Sequence, residues 1–84
     1  MPSPVLYSKE ALKDIKKLDN IVKKKLARAI ERYSDSPLVH AKKLSLPGRK
    51  LYRWRTGNYR IIFDFLGKTI RILRVGHRRE IYER

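Results

Sequence analysis

Residues 51–82 read LYRWRTGNYRIIFDFLGKTIRILRVGHRREIY, and this stretch decides the fold. Two tight-turn signals, Gly57-Asn58 and Gly67-Lys68, divide it into three strands followed by a basic tail. Glycine and asparagine tolerate the positive φ that two-residue hairpin turns demand. Pairing Thr56 with Tyr59 across the first turn sets Arg55 against Arg60 and Arg53 against Ile62. Side chains alternate between the two faces of a strand, so Arg53, Arg55 and Arg60 share one face. Tyr52, Trp54, Ile61, Phe63 and Phe65 share the other, which is the candidate core. Carried through the second turn, the ladder sets Phe65 against Ile70 and Phe63 against Ile72. The same register puts Arg74 on the apolar face, an assignment that a bulge near Gly76 would change.

Like charges placed directly opposite one another destabilise a sheet. Arg55 against Arg60 is such a pair, and a polyanionic ligand would offset its cost. The arginine face is therefore the candidate site, and a solvated face rich in arginine is the bland alternative.

Upstream of this stretch, Val5-Leu6-Tyr7 is a short strand, preceded by Pro2 and Pro4 as suits an edge or first strand. Ser8 is a candidate N-cap, with Glu10 in the first turn. Leu12, Ile15 and Leu18 form an apolar stripe at helical spacing. Asp19-Asn20 interrupts it and can cap a second helix, carried by Val22, Leu26, Ala29, Ile30 and Tyr33 to about Ser34. Pro37 prevents its continuation. The segment 36–50 reads as irregular, with Leu38, Leu44 and Leu46 as loop anchors and a turn at Pro47-Gly48. The expected architecture is one α+β domain over residues 1–84. An N-terminal strand leads into a helical hairpin and then a three-stranded antiparallel meander, with the helices on one face of the sheet.

Composition narrows the function. The chain has 84 residues, 22 of them basic and 8 acidic, for a net charge of +14. Such a charge on a small domain is an electrostatic footprint for nucleic acid and calls for an acidic partner. Nine of the eleven lysines precede Gly48 and nine of the eleven arginines follow it. Arginine grips phosphate through a planar fork, whereas lysine is a hydrated point charge. The sheet half is thus where anions are held. An anionic membrane is a weaker alternative, because no helix carries a large exposed apolar face. Cysteine is absent, so neither a disulfide framework nor a thiolate metal site can form. The first residues lack the apolar core of a signal peptide, and no apolar run approaches the roughly 18 residues of a spanning helix. A cytoplasmic location, no membrane contact and no cofactor are expected.

The tail reads Gly76-His77-Arg78-Arg79-Glu80-Ile81-Tyr82. Arg78 and Tyr82 are four residues apart, one helical turn if the segment coils. Folded back beside Arg53, Arg55 and Arg60, this segment would assemble four arginines and a tyrosine, with no carboxylate pair, cysteine or metal cluster.

With these residues in view, the chain resembles a RelE-type toxin of the RelE/ParE superfamily, from type II toxin–antitoxin modules. The resemblance covers nearly the whole chain and rests on YSKEALKDIKKL, NYRIIFDF and RVGHRREIY. The last is the most specific, a glycine, a basic residue, an arginine and a downstream tyrosine. The resemblance implies a ribosome-dependent mRNA endonuclease that cuts in the A site without metal, by attack of the ribose 2′-OH on the adjacent phosphate. It also implies an acidic, RelB-like antitoxin, with mRNA and the ribosome, including its rRNA, as the other partners.

Position by position, the family's basic residues on the second strand fall on Arg53 and Arg55, and the arginine opening the third on Arg60. The arginine after the last strand falls on Arg78 and the tyrosine on Tyr82. Many members carry lysines on the second strand. Here both are arginines, which stay protonated and are confined to charge roles. The resemblance thus implies Arg60, Arg78 and Tyr82 as catalytic residues, with Tyr82 either base or stacking residue. Arg53, Arg55, Arg79 and His77 are the implied RNA contacts. A ParE-like gyrase poison on the same fold and a non-catalytic nucleic-acid-binding module are the competing functions.

Overall fold

The computed structural model describes residues 3–46 and 48–77, with the backbone alone for 45, 46 and 49. Its elements are β1 (Val5–Tyr7), α1 (Lys9–Lys16), α2 (Asn20–Tyr33), β2 (Lys42–Leu46), β3 (Arg49–Thr56), β4 (Tyr59–Leu66) and β5 (Thr69–His77). The strands form a single sheet in the order β1-β5-β4-β3-β2, so the chain's first strand lies beside its last. β1 runs parallel to β5, and every other pairing is antiparallel.

Both helices start on side-chain caps. Ser8 Oγ accepts from the Ala11 N–H at 3.0 Å and Asp19 Oδ1 from the Val22 N–H at 3.0 Å. Each satisfies an amide that has no partner within its helix. The helices lie on one face of the sheet and close the core of Ala11, Leu26, Ile30, Trp54, Ile61, Phe63, Ile70, Ile72 and Val75. Trp54 is its largest member. Its ring lies 4.1 Å from Phe63, and its Nε1–H donates to the Pro37 carbonyl at 2.8 Å. Tyr33 adds a second tie, its hydroxyl donating to the Arg55 carbonyl at 2.9 Å. Among the described residues no helix is long and apolar enough to cross a membrane.

The hairpin register matches the expected one, with Thr56 opposite Tyr59, Arg55 opposite Arg60, and Phe63 opposite both Tyr52 and Ile72. Gly57 and Gly67 take φ of 58° and 60° as the first central residues of their turns. Asn58 and Lys68 keep negative φ, the φ pattern of a type II′ turn.

Three expectations are corrected. The segment 36–50 is not irregular throughout, because Lys42–Leu46 forms a fifth strand on the free edge of β3. Leu44 is buried as part of that strand, whereas Leu38 is no anchor and stands 47% exposed. The bulge lies earlier than Gly76. The register shifts between Ile62 and Phe63, which oppose Arg74 and Ile72, so Leu73 is the extra residue. Arg74 is consequently exposed instead of facing the core, and its guanidinium is bound by Asp14 of α1.

Candidate nucleic-acid interface

The face of the sheet turned away from the helices is built by strand alternation. Arg55 of β3 stands opposite Arg60 of β4, and Arg60 opposite Gly76 of β5. The next row runs from Lys42 through Arg53 and Ile62 to Arg74. Four basic side chains, Lys42, Arg53, Arg55 and Arg60, are thus gathered on two adjacent rows of three strands. Arg53 and Arg60 are half-buried, with Nε sunk below the surface, while Lys42 and Arg55 are exposed. Half-burial limits the rotamer freedom that a long side chain would lose on gripping a ligand.

The basic cluster is bounded on one side by an ion pair. The Arg71 guanidinium donates to both carboxylate oxygens of Asp64, a bidentate contact between cross-strand partners on β5 and β4. Asp64 therefore offsets the charge of Arg71 on this part of the face. The same rows carry an apolar patch, with Leu44 and Leu51 beside the ion pair and Ile62 beside Arg53, and Leu73 packed against it. This small second core on the site face gives the arginines a low-dielectric floor, where their interaction with an anion is less screened than in water.

A second electrostatic centre sits at the edge of β5. Asp14 Oδ2 accepts from Arg74 Nε at 2.8 Å and from the Val75 N–H at 3.0 Å, and Oδ1 accepts from Arg74 Nη2 at 3.1 Å. Burial alone would raise the Asp14 pKa. The hydrogen bonds from Arg74 and Val75, with the charges of Arg74 and Lys17, outweigh it and hold the carboxyl below its ordinary value. Arg74 is held above its own ordinary value, chiefly by the hydrogen bond to Asp14.

Arg53, Arg55 and Arg60 are brought together on one face. His77 is not with them. It stands opposite Tyr59, and its ring meets the Tyr59 ring edge-on at 5.5 Å between centroids, on the side where Tyr59 packs against the main core. Strand parity explains this, since His77 follows Gly76, the residue opposite Arg60. Arg78, Arg79 and Tyr82 lie outside the described residues. Lys42 is a basic residue of this face that the sequence does not announce, because its strand reads as loop. The alternation of Leu44 and Leu46 behind two lysines was the available signal. Among the described residues no three His, Asp or Glu side chains gather as a metal site would need.

A sheet face of basic side chains around an apolar floor, with two helices on the opposite face, defines a small basic α+β module. Residues 5–82 match the family model described as the ParE toxin of type II toxin–antitoxin system, parDE. The chain is 36% identical over 83 residues to Toxin RelE3 of Methanocaldococcus jannaschii, covering 94% of both chains. Its fold matches a chain of the RelBE2 toxin–antitoxin complex of Mycobacterium tuberculosis with a TM-score of 0.83 and 28% identity, over 92% of this chain and 99% of that one. It also matches the RelB–RelE antitoxin–toxin complex of Methanococcus jannaschii with a TM-score of 0.70 and 34% identity, over 92% and 94%. The chain belongs to the RelE/ParE superfamily and is a toxin of the type II toxin–antitoxin kind.

Proposed function

We propose that this toxin is an endoribonuclease that cleaves mRNA in the ribosomal A site: the ribose 2′-OH attacks the adjacent phosphate and the P–O5′ bond breaks, leaving a 2′,3′-cyclic phosphate and a 5′-hydroxyl. The observation that carries this reading is the opposition of Arg55 and Arg60 on the sheet face turned away from the helices, with Arg53 and Lys42 in the next row. Two like-charged residues directly opposite one another repel and destabilise a sheet, a cost that an anionic ligand offsets. A phosphodiester chain brings negative charge to both. Arg60 and Arg78 bind the scissile phosphate and stabilise charge building on its oxygens. Arg53, Arg55 and Arg79 hold the flanking backbone. Tyr82 either takes the 2′-OH proton, with nearby guanidinium charge lowering its pKa, or stacks on a splayed base. His77, on the far side of the sheet end, has no assigned RNA contact in this reading.

A RelB-like acidic antitoxin is the proposed partner. The net charge of +14 supports it, as does the recovery of its relatives' solved structures in toxin–antitoxin complexes. A second reading, a gyrase poison, is favoured by one finding: the matching family model is that of ParE toxins. Primer extension on a defined mRNA translated in vitro separates the two. Codon-associated cuts that need ribosomes, and that fall by about a hundredfold or more in Arg60→Ala, are the expected result. Intact mRNA together with an SOS response in cells producing the toxin would establish the gyrase reading instead.

A further inference from the structure

The outer edge of β5 changes partner midway. β1 pairs with it only over Ile70, Arg71 and Ile72. From that point α1 takes over. The Ser8 N–H donates to the Ile72 carbonyl at 2.9 Å, and Ser8 Oγ donates to the Leu73 carbonyl at 2.9 Å. The Asp14 carboxylate then accepts the Val75 N–H at 3.0 Å, doing for that amide what a strand carbonyl would do, while also binding Arg74. The Asp14 side chain is only 14% exposed. These contacts bracket the extra residue, Leu73.

The bulge decides which residues reach the site face. With Ile72 opposite Phe63 and no extra residue, Arg74 would oppose Ile61 in the core, Val75 would oppose Arg60, and Gly76 would oppose Tyr59. The observed shift instead sends Val75 into the core opposite Ile61 and puts Gly76, which has no side chain, beside Arg60. Bulges re-aim side chains in this way, and they leave backbone groups that need other partners. Asp14 supplies a partner to the two residues that follow the shift, through the Arg74 side chain and the Val75 amide.

We infer that Asp14 is a positioning residue: from α1 it locks the bulged register of β5 and so keeps Gly76, which has no side chain, opposite Arg60 at the site. The catalytic consequence rests on the proposed ribonuclease reading, whereas the register is measurable without it.

The test uses the full chain, and three variants are compared with wild type: Asp14→Ala, Asp14→Asn and Asp14→Ala with Leu73 deleted. Backbone nuclear Overhauser effects between β4 and β5 report the register, and single-turnover cleavage of ribosome-bound mRNA reports the site. Asp14→Ala is expected to lose the Ile61–Val75 cross-strand signals and amide protection at 74–76. Its kcat is expected to fall roughly tenfold to a hundredfold, with KM little changed. Deleting Leu73 removes the residue that makes a lock necessary, so the double variant is expected to recover both the Ile61–Val75 signals and activity. Asp14→Asn, which keeps an acceptor for the Val75 amide, guards against outright unfolding of the alanine variant and is expected to fall between the two. Wild-type register and kcat in Asp14→Ala would overturn the inference, and so would a Leu73 deletion that restores neither. If wild type itself cleaves no RNA, the ribonuclease reading fails and the cross-strand signals still decide the register.

Discussion

Arg55 and Arg60 stand directly opposite one another across the β3–β4 hairpin. Cross-strand pairs contribute about 0.2–1 kcal/mol, with the sign reversed for like charges. Arg55→Thr removes the repulsion and places a strand-favouring residue in its position. The variant is expected to unfold at a higher urea concentration than wild type, by an amount corresponding to a few tenths of a kcal/mol up to about 1 kcal/mol. Its affinity for single-stranded RNA is expected to drop, with the slope of log K against log salt shallower by about 0.7, one phosphate contact's worth. A site maintained at the expense of stability moves these two measurements in opposite directions, and a solvated face leaves the second unmoved.

Trp54 makes a different kind of prediction, because it joins the core to the loop behind it. Its ring is fully buried and its Nε1–H reaches the Pro37 carbonyl at 2.8 Å. Trp54→Phe keeps an aromatic ring but leaves that carbonyl without its donor and leaves part of the indole volume empty. A loss of about 1–3 kcal/mol is expected in chemical denaturation, from the unmade hydrogen bond and the small cavity together. Trp54→Ala is expected to cost about 3–5 kcal/mol, enough to unfold a domain of this size under many conditions.

The pairing of Arg55 with Arg60 and the core face of Trp54 and Phe63 were legible in the sequence, because two glycine turns pin the register and alternation then assigns every face. Three things were not. Lys42–Leu46 is an edge strand whose lysines, the usual protection of an edge, make it read as loop. The bulge at Leu73 depends on Asp14, some sixty residues away, and no local signal announces a partner at that distance. The apolar floor of Leu44, Leu51 and Ile62 went unseen for a related reason, since one of its three strands was missing from the reading. Arg74 shows the same limit from the other side. Parity placed it in the core, and only the inserted residue takes it out.

Asp14 also predicts how stability varies with pH. Its carboxyl is held below the ordinary aspartate value of 3.8, because the Arg74 and Val75 hydrogen bonds and the charges of Arg74 and Lys17 overcome burial. Glu10, on the same helix, also acts on Arg74. A group whose pKa is lower in the folded state binds protons more readily when unfolded, so its stabilising contribution is present above the unfolded value and lost as pH falls through the folded one. The stability difference between wild type and Asp14→Asn is therefore expected to be constant from neutral pH down to about pH 5 and to shrink as pH falls below 3.8. Urea unfolding at stepped pH measures it. A difference that widens as pH falls would contradict the assignment of Arg74 and Val75 as the partners of a charged carboxylate.

Gly76 separates fold from function at a single position. It is buried in a strand and stands opposite Arg60 on the site face. Glycine is a poor strand residue, and a β-branched side chain ordinarily improves one. The residue that would suit the sheet is therefore the one that would suit the site least. Valine at this position adds a branched side chain on the site face, directly opposite Arg60. Gly76→Val is expected to fold with its Ile61–Val75 pairing intact. Cleavage of ribosome-bound mRNA is expected to fall at least tenfold, in line with the loss of a positioned electrostatic contact. Circular dichroism melting and the primer-extension assay decide it together. A stable variant with undiminished cleavage would mean that the approach to Arg60 does not run past residue 76.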